Sequence, residues 1–306
     1  MITLEGALDL HVHSAPDRYP RIADDLTVAR AAHEVGMGGI CLKNHHVCTV
    51  ERAGLVNAAL GIGTKEFALG SITLNHSAGG VEPIVVESAL RSGARIVWMP
   101  TVDSAAHRQA FAAGGHYPPA AAEAITALAG DRLTSKAMAV LDLCREHAVP
   151  LATGHLAADE VRAVARAARD IHARVVVTHP LFRVPGLGLS ELVELVGPDT
   201  WFEFTYCTVS PMWRHATMEE TAAAIKAVGA ERSLLTSDGG QPHNPMPHEC
   251  FRCLGQMCVE CGIPEADVTR MMTMNSREVI GGTGYGAPHD TVHGASPHQV
   301  GRYDAA

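Results

Sequence analysis

Eight short apolar runs recur along this chain, each followed by sequence of helical periodicity, and no other feature restricts the fold of its 306 residues so strongly. The runs occupy residues 6–13, 39–45, 67–75, 95–101, 149–155, 174–179, 201–206 and 233–238. Between them lie Ala-rich helical patterns at 24–35, 49–60, 82–91, 135–147, 158–171, 190–196 and 218–228, and a final pair at 248–261 and 264–280 closes the series. Several of these begin with a Ser, Thr or Asp suited to N-capping. Apolar runs separated by amphipathic helices are the pattern of parallel strands joined by crossovers. Eight such units predict an α/β fold of the (β/α)8, TIM-barrel kind in a single domain spanning residues 1–282, with residues 283–306 as an irregular Gly/Pro/His-rich tail. A doubly wound open sheet is the alternative. It usually carries a glycine-rich phosphate turn after its first strand, where this chain has His11-Val12-His13-Ser14-Ala15-Pro16.

Composition removes other classes. Apolar residues make up 47%, ample for a large core, and a net charge of -9 without any Lys/Arg cluster argues against a nucleic-acid surface. No apolar run approaches the ~18 residues of a membrane span, and no basic-then-apolar leader opens the chain. The expectation is a cytoplasmic protein acting on a small molecule. Its eight cysteines are then reduced thiols. Cys250, Cys253, Cys258 and Cys261 have zinc-like pair spacing but lie in helical sequence without turn glycines, so they read as free thiols, and Cys41, Cys144 and Cys207 read as core packing. The stretch 103–132 breaks the rhythm; it predicts a pocket-shaping loop with a short helical piece near 120–128.

The ends of the apolar runs carry the chemistry. His11 and His13, at i and i+2 on a strand, point to one side and can grip one ion from a single segment. The second run ends in Lys43-Asn44-His45-His46, the fifth in His155, the sixth in His179 and the eighth in Asp238. In a barrel the C-terminal strand ends converge on one mouth. Four histidines and an aspartate there suit zinc or a similar divalent ion.

On these residues the chain resembles the amidohydrolase superfamily of metal-dependent hydrolases, over essentially the whole barrel. The resemblance implies that His11, His13, His155, His179 and Asp238 hold one or two divalent ions, zinc foremost with Mn, Fe or Co as alternatives. It also implies that the ion activates water and that Asp238 serves as both ligand and proton acceptor. The local wording LKNHH, GSITLN, VWMPT, ATGHL and VVVTHP is similar to a poorly characterised branch and points to no named substrate. With His11 so near the start, the flanking β-sandwich of many members has no room for its N-terminal half, as in barrel-only members.

One departure concerns the second metal. Binuclear members commonly carry a carboxylated lysine at the end of strand four, whereas residues 96–101 here contain none. Lys43 on strand two shares a face with Cys41 and His45. As a carbamate it bridges two metals; as an ammonium it holds a substrate carboxylate beside one. His45 joins Asp238 and Lys43 as a catalytic candidate. His45, His46, Asn75, Arg18, Arg183 and Tyr206 are candidates for orienting substrate, and Glu203 either supports the ligands or faces a helix lysine or solvent. The leading expectation is hydrolysis of an amide or cyclic amide. A lactone or ester hydrolase, a non-oxidative decarboxylase and a metal-stabilised scaffold follow in that order. Barrels of this kind often associate, so a homo-oligomer is possible.

Overall fold

The computed structural model describes residues 1–62, 66–112 and 122–281. Its strands are β1 (Leu8–Val12), β2 (Gly39–Leu42), β3 (Ala68–Leu69), β4 (Ser71–Thr73), β5 (Ile96–Trp98), β6 (Leu128–Ala129), β7 (Arg132–Leu133), β8 (Leu151–Ala152), β9 (Val175–Val177), β10 (Thr200–Thr205) and β11 (Ser233–Thr236). Parallel pairing runs through β1–β2–β3 and through β4–β5–β8–β9–β10–β11. Only Gly70 separates β3 from β4. An isolated parallel bridge, Val12 with Gly239, joins the end of β1 to the chain just beyond β11. The antiparallel hairpin β6–β7 is an excursion after β5, so the α/β fold is predominantly parallel with a small antiparallel addition.

Helices separate the parallel strands where the periodicity placed them, and the capping residues explain their starts. Asp24 accepts from the Thr27 amide ahead of Asp25–Glu34, Thr134 accepts from the Ala137 amide ahead of Ser135–Glu146, and Thr217 forms a capping box with Glu220 ahead of Met218–Val228. Helix Ala158–Ile171 buries Val161, Val164, Ala165 and Ala168, a stripe at helical spacing.

Strand alternation divides the core into two layers. A large cluster packs the helices on one face of the strands. A smaller one takes Leu8 and Leu10 from β1, Cys41 from β2, Leu69 from β3, Ile96 and Trp98 from β5, Ala152 from β8, Val176 from β9, Trp201 from β10 and Leu234 from β11.

Two local expectations change. Residues 122–128 are not helical; the helix after β5 is Ala105–Ala110, capped by the Ser104 hydroxyl on the His107 amide. The helical pattern at 264–280 splits into Glu265–Met272 and Met274–Val279, because Thr273 leaves helical geometry at φ -125° and ψ -73°. The tail at 283–306 lies outside the described residues. Among those described, no helix is long and apolar enough to cross a membrane. Cys250, Cys253, Cys258 and Cys261 are free thiols, three of them within helix Pro247–Glu260 and the fourth at its end, as the helical spacing predicted.

Gly240 is one of the backbone points at which the fold tolerates no side chain. Its φ of 124° favours glycine, and an added Cβ would run into the His13 carbonyl. Gly240→Ala is expected to lower unfolding free energy by about 3 kcal/mol, read from urea denaturation, through backbone strain and displacement of the His13 strand end.

Candidate metal centre

The pairing of β1 with β2 shifts register between Asp9 and Val12. Such an irregularity re-aims side chains. Leu8 and Leu10 pack into the inner cluster, and His11 follows on the same side, its ring 4.7 Å from that of Trp98. The Nε2 atoms of His11 and His13 lie 3.0 and 3.2 Å from the same oxygen, Oδ1 of Asp238. One ligand atom from each of these three buried residues falls within 4.8 Å of the others. Two imidazole nitrogens and a carboxylate oxygen at that spacing fit one divalent ion.

Glu203, which the strand pattern alone left undecided, supports the first ligand. It is fully buried on β10, and its Oε1 lies 3.0 Å from His11 Nδ1 and accepts from the Thr236 hydroxyl at 3.0 Å. A carboxylate only accepts, so His11 carries its proton on Nδ1 and presents Nε2 to the site. Lys43 reaches the same point: its Nζ is 2.9 Å from His11 Nε2 and 4.1 Å from the centroid of the Trp98 ring.

The electrostatics follow from burying these groups together. Burial acts to raise Asp238, but the charges and hydrogen bonds of His11 and His13 prevail and hold its carboxyl well below the carboxylate range. Burial opposes the ionised form of Glu203 as well, and His11 reverses it. Burial pushes Lys43 down to about 8 against the attraction of Asp238 and Glu203. Burial and the neighbouring Arg21 push His13 down to about 3, and burial takes His179 to about 4. His179 and Asp238 both hold positive φ, 28° and 46°, at the ends of β9 and β11. Strain in non-glycine residues of this kind clusters at functional sites.

Of these groups His13, Lys43, His179 and Asp238 line a cleft that opens to solvent. His45, His155 and His179 line it beside His13, Lys43 and Asp238. His155 and His179 stand with ring centroids 5.0 Å apart, and His179 is 6.3 Å from His11. They share the cleft with the triad without entering its 4.8 Å group. Gly154, at φ 56°, sets the turn that brings His155 in, since a Cβ there would overlap the Met99 carbonyl. His107 lines the cleft too, with Nδ1 2.8 Å from His155 Nδ1. Nothing in the sequence singled it out, because it comes from a helix inside the long loop.

The remaining candidates divide. His45 lines the cleft with its ring 4.9 Å from His13 and its Nδ1 2.8 Å from the Thr101 hydroxyl. Asn75 is fully buried, and its amide is saturated: it donates to the His45 carbonyl and the Thr101 hydroxyl and accepts from the Thr101 and Asp103 amides. It therefore positions His45 and Thr101 and has no bond left for substrate. Tyr206 packs in the outer core, and its neighbour Cys207 is buried as expected and also lines the cleft. Arg18 is exposed and outside the lining, where Arg21 takes its place. His46 reaches Ser77 at 3.1 Å and Arg183 lies over the Phe111 ring at 5.0 Å, both outside the lining.

The sequence matches DUF6282, a family of unknown function, over residues 6–203 of the 306. The chain belongs to this family. The match covers the His11/His13 pair, Lys43, His155, His179 and Glu203 but stops short of Asp238. No curated protein matches the sequence. Among solved structures the fold is similar to an amidohydrolase from Pseudomonas aeruginosa, at 13% identity and a TM-score of 0.58, with 90% of this chain and 97% of that one covered. A candidate 2-pyrone-4,6-dicarboxylic acid hydrolase from Pseudomonas putida is similar at 18% identity and 0.54, covering 90% and 97%. The 2,6-dihydroxybenzoate decarboxylase from Rhizobium is similar at 14% and 0.53, covering 90% and 99%. This DUF6282 member thus has the fold of amidohydrolase-type enzymes together with a triad able to coordinate a divalent ion.

Glu203→Gln is expected to weaken metal binding about 10- to 100-fold, because the amide no longer enforces the Nδ1 proton on His11. Competition with a chromogenic chelator measures it, and unchanged affinity contradicts the supporting role.

Proposed function

We propose that this protein is a metal-dependent hydrolase that cleaves the C–N bond of an amide or cyclic amide in a small molecule. The observation that carries the reading is the convergence of His11 Nε2 and His13 Nε2 on Asp238 Oδ1 at the wall of a cleft. The strand order, with one inner cluster fed from every parallel strand position and a bridge from β1 to the end of β11, supports a single (β/α)8 barrel of the barrel-only kind for residues 1–282. A soluble, cytoplasmic enzyme, alone or as a homo-oligomer, is the accompanying expectation.

His11, His13 and Asp238 hold the ion, zinc by its preference for nitrogen and carboxylate ligands, and His155 and His179 complete the set. When bound, the ion supplies positive charge that acidifies water and polarises the scissile carbonyl. Asp238, held ionised by its histidines, accepts the proton of the attacking water. It returns that proton to the leaving nitrogen as the C–N bond breaks and the hydroxyl joins the acyl carbon. Lys43, buried beside His11, would add carbon dioxide on its neutral amine with loss of one proton to solvent, and the resulting carbamate would offer an anionic ligand to a second ion. His45 orients the substrate from the cleft wall. A second reading, hydrolysis of a cyclic ester, draws on the likeness to the Pseudomonas putida protein, and the likeness to the decarboxylase makes loss of carbon dioxide a third outcome to assay.

Elemental analysis tests the metal count. Two equivalents in the wild type and one in Lys43→Ala are expected, and one in both removes the carbamate bridge. Asp238→Asn, saturated with metal, is expected to lose at least ~100-fold in turnover on whichever member of an amide, lactone and aryl-carboxylate panel the wild type processes. Carbon dioxide released together with the protonated decarboxylated remainder, and no hydrolysis product from any member of the panel, overturns the hydrolase assignment.

A further inference from the structure

Arg21 carries a charge that the chemistry above does not use. Its side chain is 2% exposed and that of Asp17, its only carboxylate partner among the described residues, is 0% exposed. The pairing is one-sided: Nε and Nη2 both reach Asp17 Oδ2, at 2.8 and 2.7 Å, while Asp17 Oδ1 accepts from the Tyr19 amide. Nη2 also lies 3.2 Å from His13 Nδ1. A guanidinium has five N–H groups, and among the described residues no acceptor meets the two on Nη1. Holding such a cation on one carboxylate and one imidazole costs stability, and it leaves the Nη1 donors turned toward neither Asp17 nor His13.

Its position defines what it can hold. Arg21 lines the cleft and also an outer cavity of about 850 Å³, which it shares with Tyr19, Pro20, Trp213, Pro242 and His243. Asp238 is the sole acid among the described lining residues of the cleft, and it is already paired with two histidines. The inner end is therefore cationic and the outer end aromatic. With Nε2 given to an ion, His13 would carry its proton on Nδ1 and would not accept from Arg21, which would leave that N–H of the fork for a ligand.

We infer that Arg21 anchors a carboxylate of the substrate, so that the substrate is a small carboxylic acid with an apolar or aromatic body. The anchor sits beside His13, and the body extends toward Trp213 and Tyr19. This rests on the hydrolase reading for the bond to be cleaved, but not for the binding itself. Planar bidentate pairing with carboxylate is what arginine does and lysine does not.

Isothermal calorimetry with benzoate and benzamide as probes tests the assignment on the zinc-loaded protein. The wild type is expected to bind benzoate at least about tenfold more tightly than benzamide, the scale of one charge-assisted bond. Arg21→Met abolishes that preference, and Arg21→Lys retains only part of it, with metal content as in the wild type; the Met variant unfolds at lower temperature because Asp17 loses its buried partner. Equal binding of the two probes by the wild type, no benzoate binding at millimolar concentration, or an unchanged preference in Arg21→Met overturns the inference. If Arg21→Met does not fold, full benzoate affinity in Arg21→Lys overturns it equally. A preference that depends on Arg21 in a protein with no hydrolytic turnover leaves the anchor standing and removes the hydrolase reading alone.

Discussion

Hydrogen bonds between β1 and the end of β11 hold the two halves of the site together across as many as 228 residues of sequence. The Ser237 amide donates to Asp9 Oδ1, the Ser237 hydroxyl donates to the His11 carbonyl, and the His13 amide donates to the Gly239 carbonyl. This seam places Asp238 opposite the two histidines, and Gly240 lets the chain pass against the His13 carbonyl without a side chain. Loss of the seam separates first strand from last, and the triad with them.

The seam tolerates an unfavourable electrostatic composition around it. Imidazoles, an ammonium and two carboxylates are buried within a few ångströms, and each by itself is penalised for its charge. They remain because each carboxylate is partnered by imidazole: Glu203 lies beside His11, and Asp238 lies beside both His11 and His13. An apolar floor of Trp98, Leu10 and Cys41 beneath them keeps the local dielectric low, which strengthens every one of these contacts. The same arrangement explains why strained backbone persists at His179 and Asp238: packing and hydrogen bonds on both sides over-determine the conformation.

Residues whose role follows from local periodicity were legible in advance. His11 and His13 share a strand face by the two-residue repeat, and Lys43 with Cys41 does so on β2. Asp238 ends an apolar run of obvious strand character. Residues whose role depends on which loop atom meets which partner were not. Arg18 and Arg21 lie three apart on one loop, and only the pairing with Asp17 selects Arg21 for the cleft. Asn75 has the right type and place for a substrate contact, yet its four bonds go to neighbouring loop groups. His107 enters from a helix that the loop's composition concealed, and Tyr206 packs in the outer core because a short helix, Tyr206–Val209, begins where β10 ends.

The sequence by itself determined the alternation of strands and helices, the strand ends that carry candidate ligands, and the burial of Cys41, Cys144 and Cys207, since these depend on periods of two and 3.6 residues that act locally. Tertiary structure alone decided which ligands meet. The β1 register shift turns His11 inward beside Leu10, and Glu203 fixes its proton from a strand far away in sequence. Tertiary contacts also select Arg21 over Arg18. Such choices are made by contacts between distant segments, whose distances no local pattern encodes.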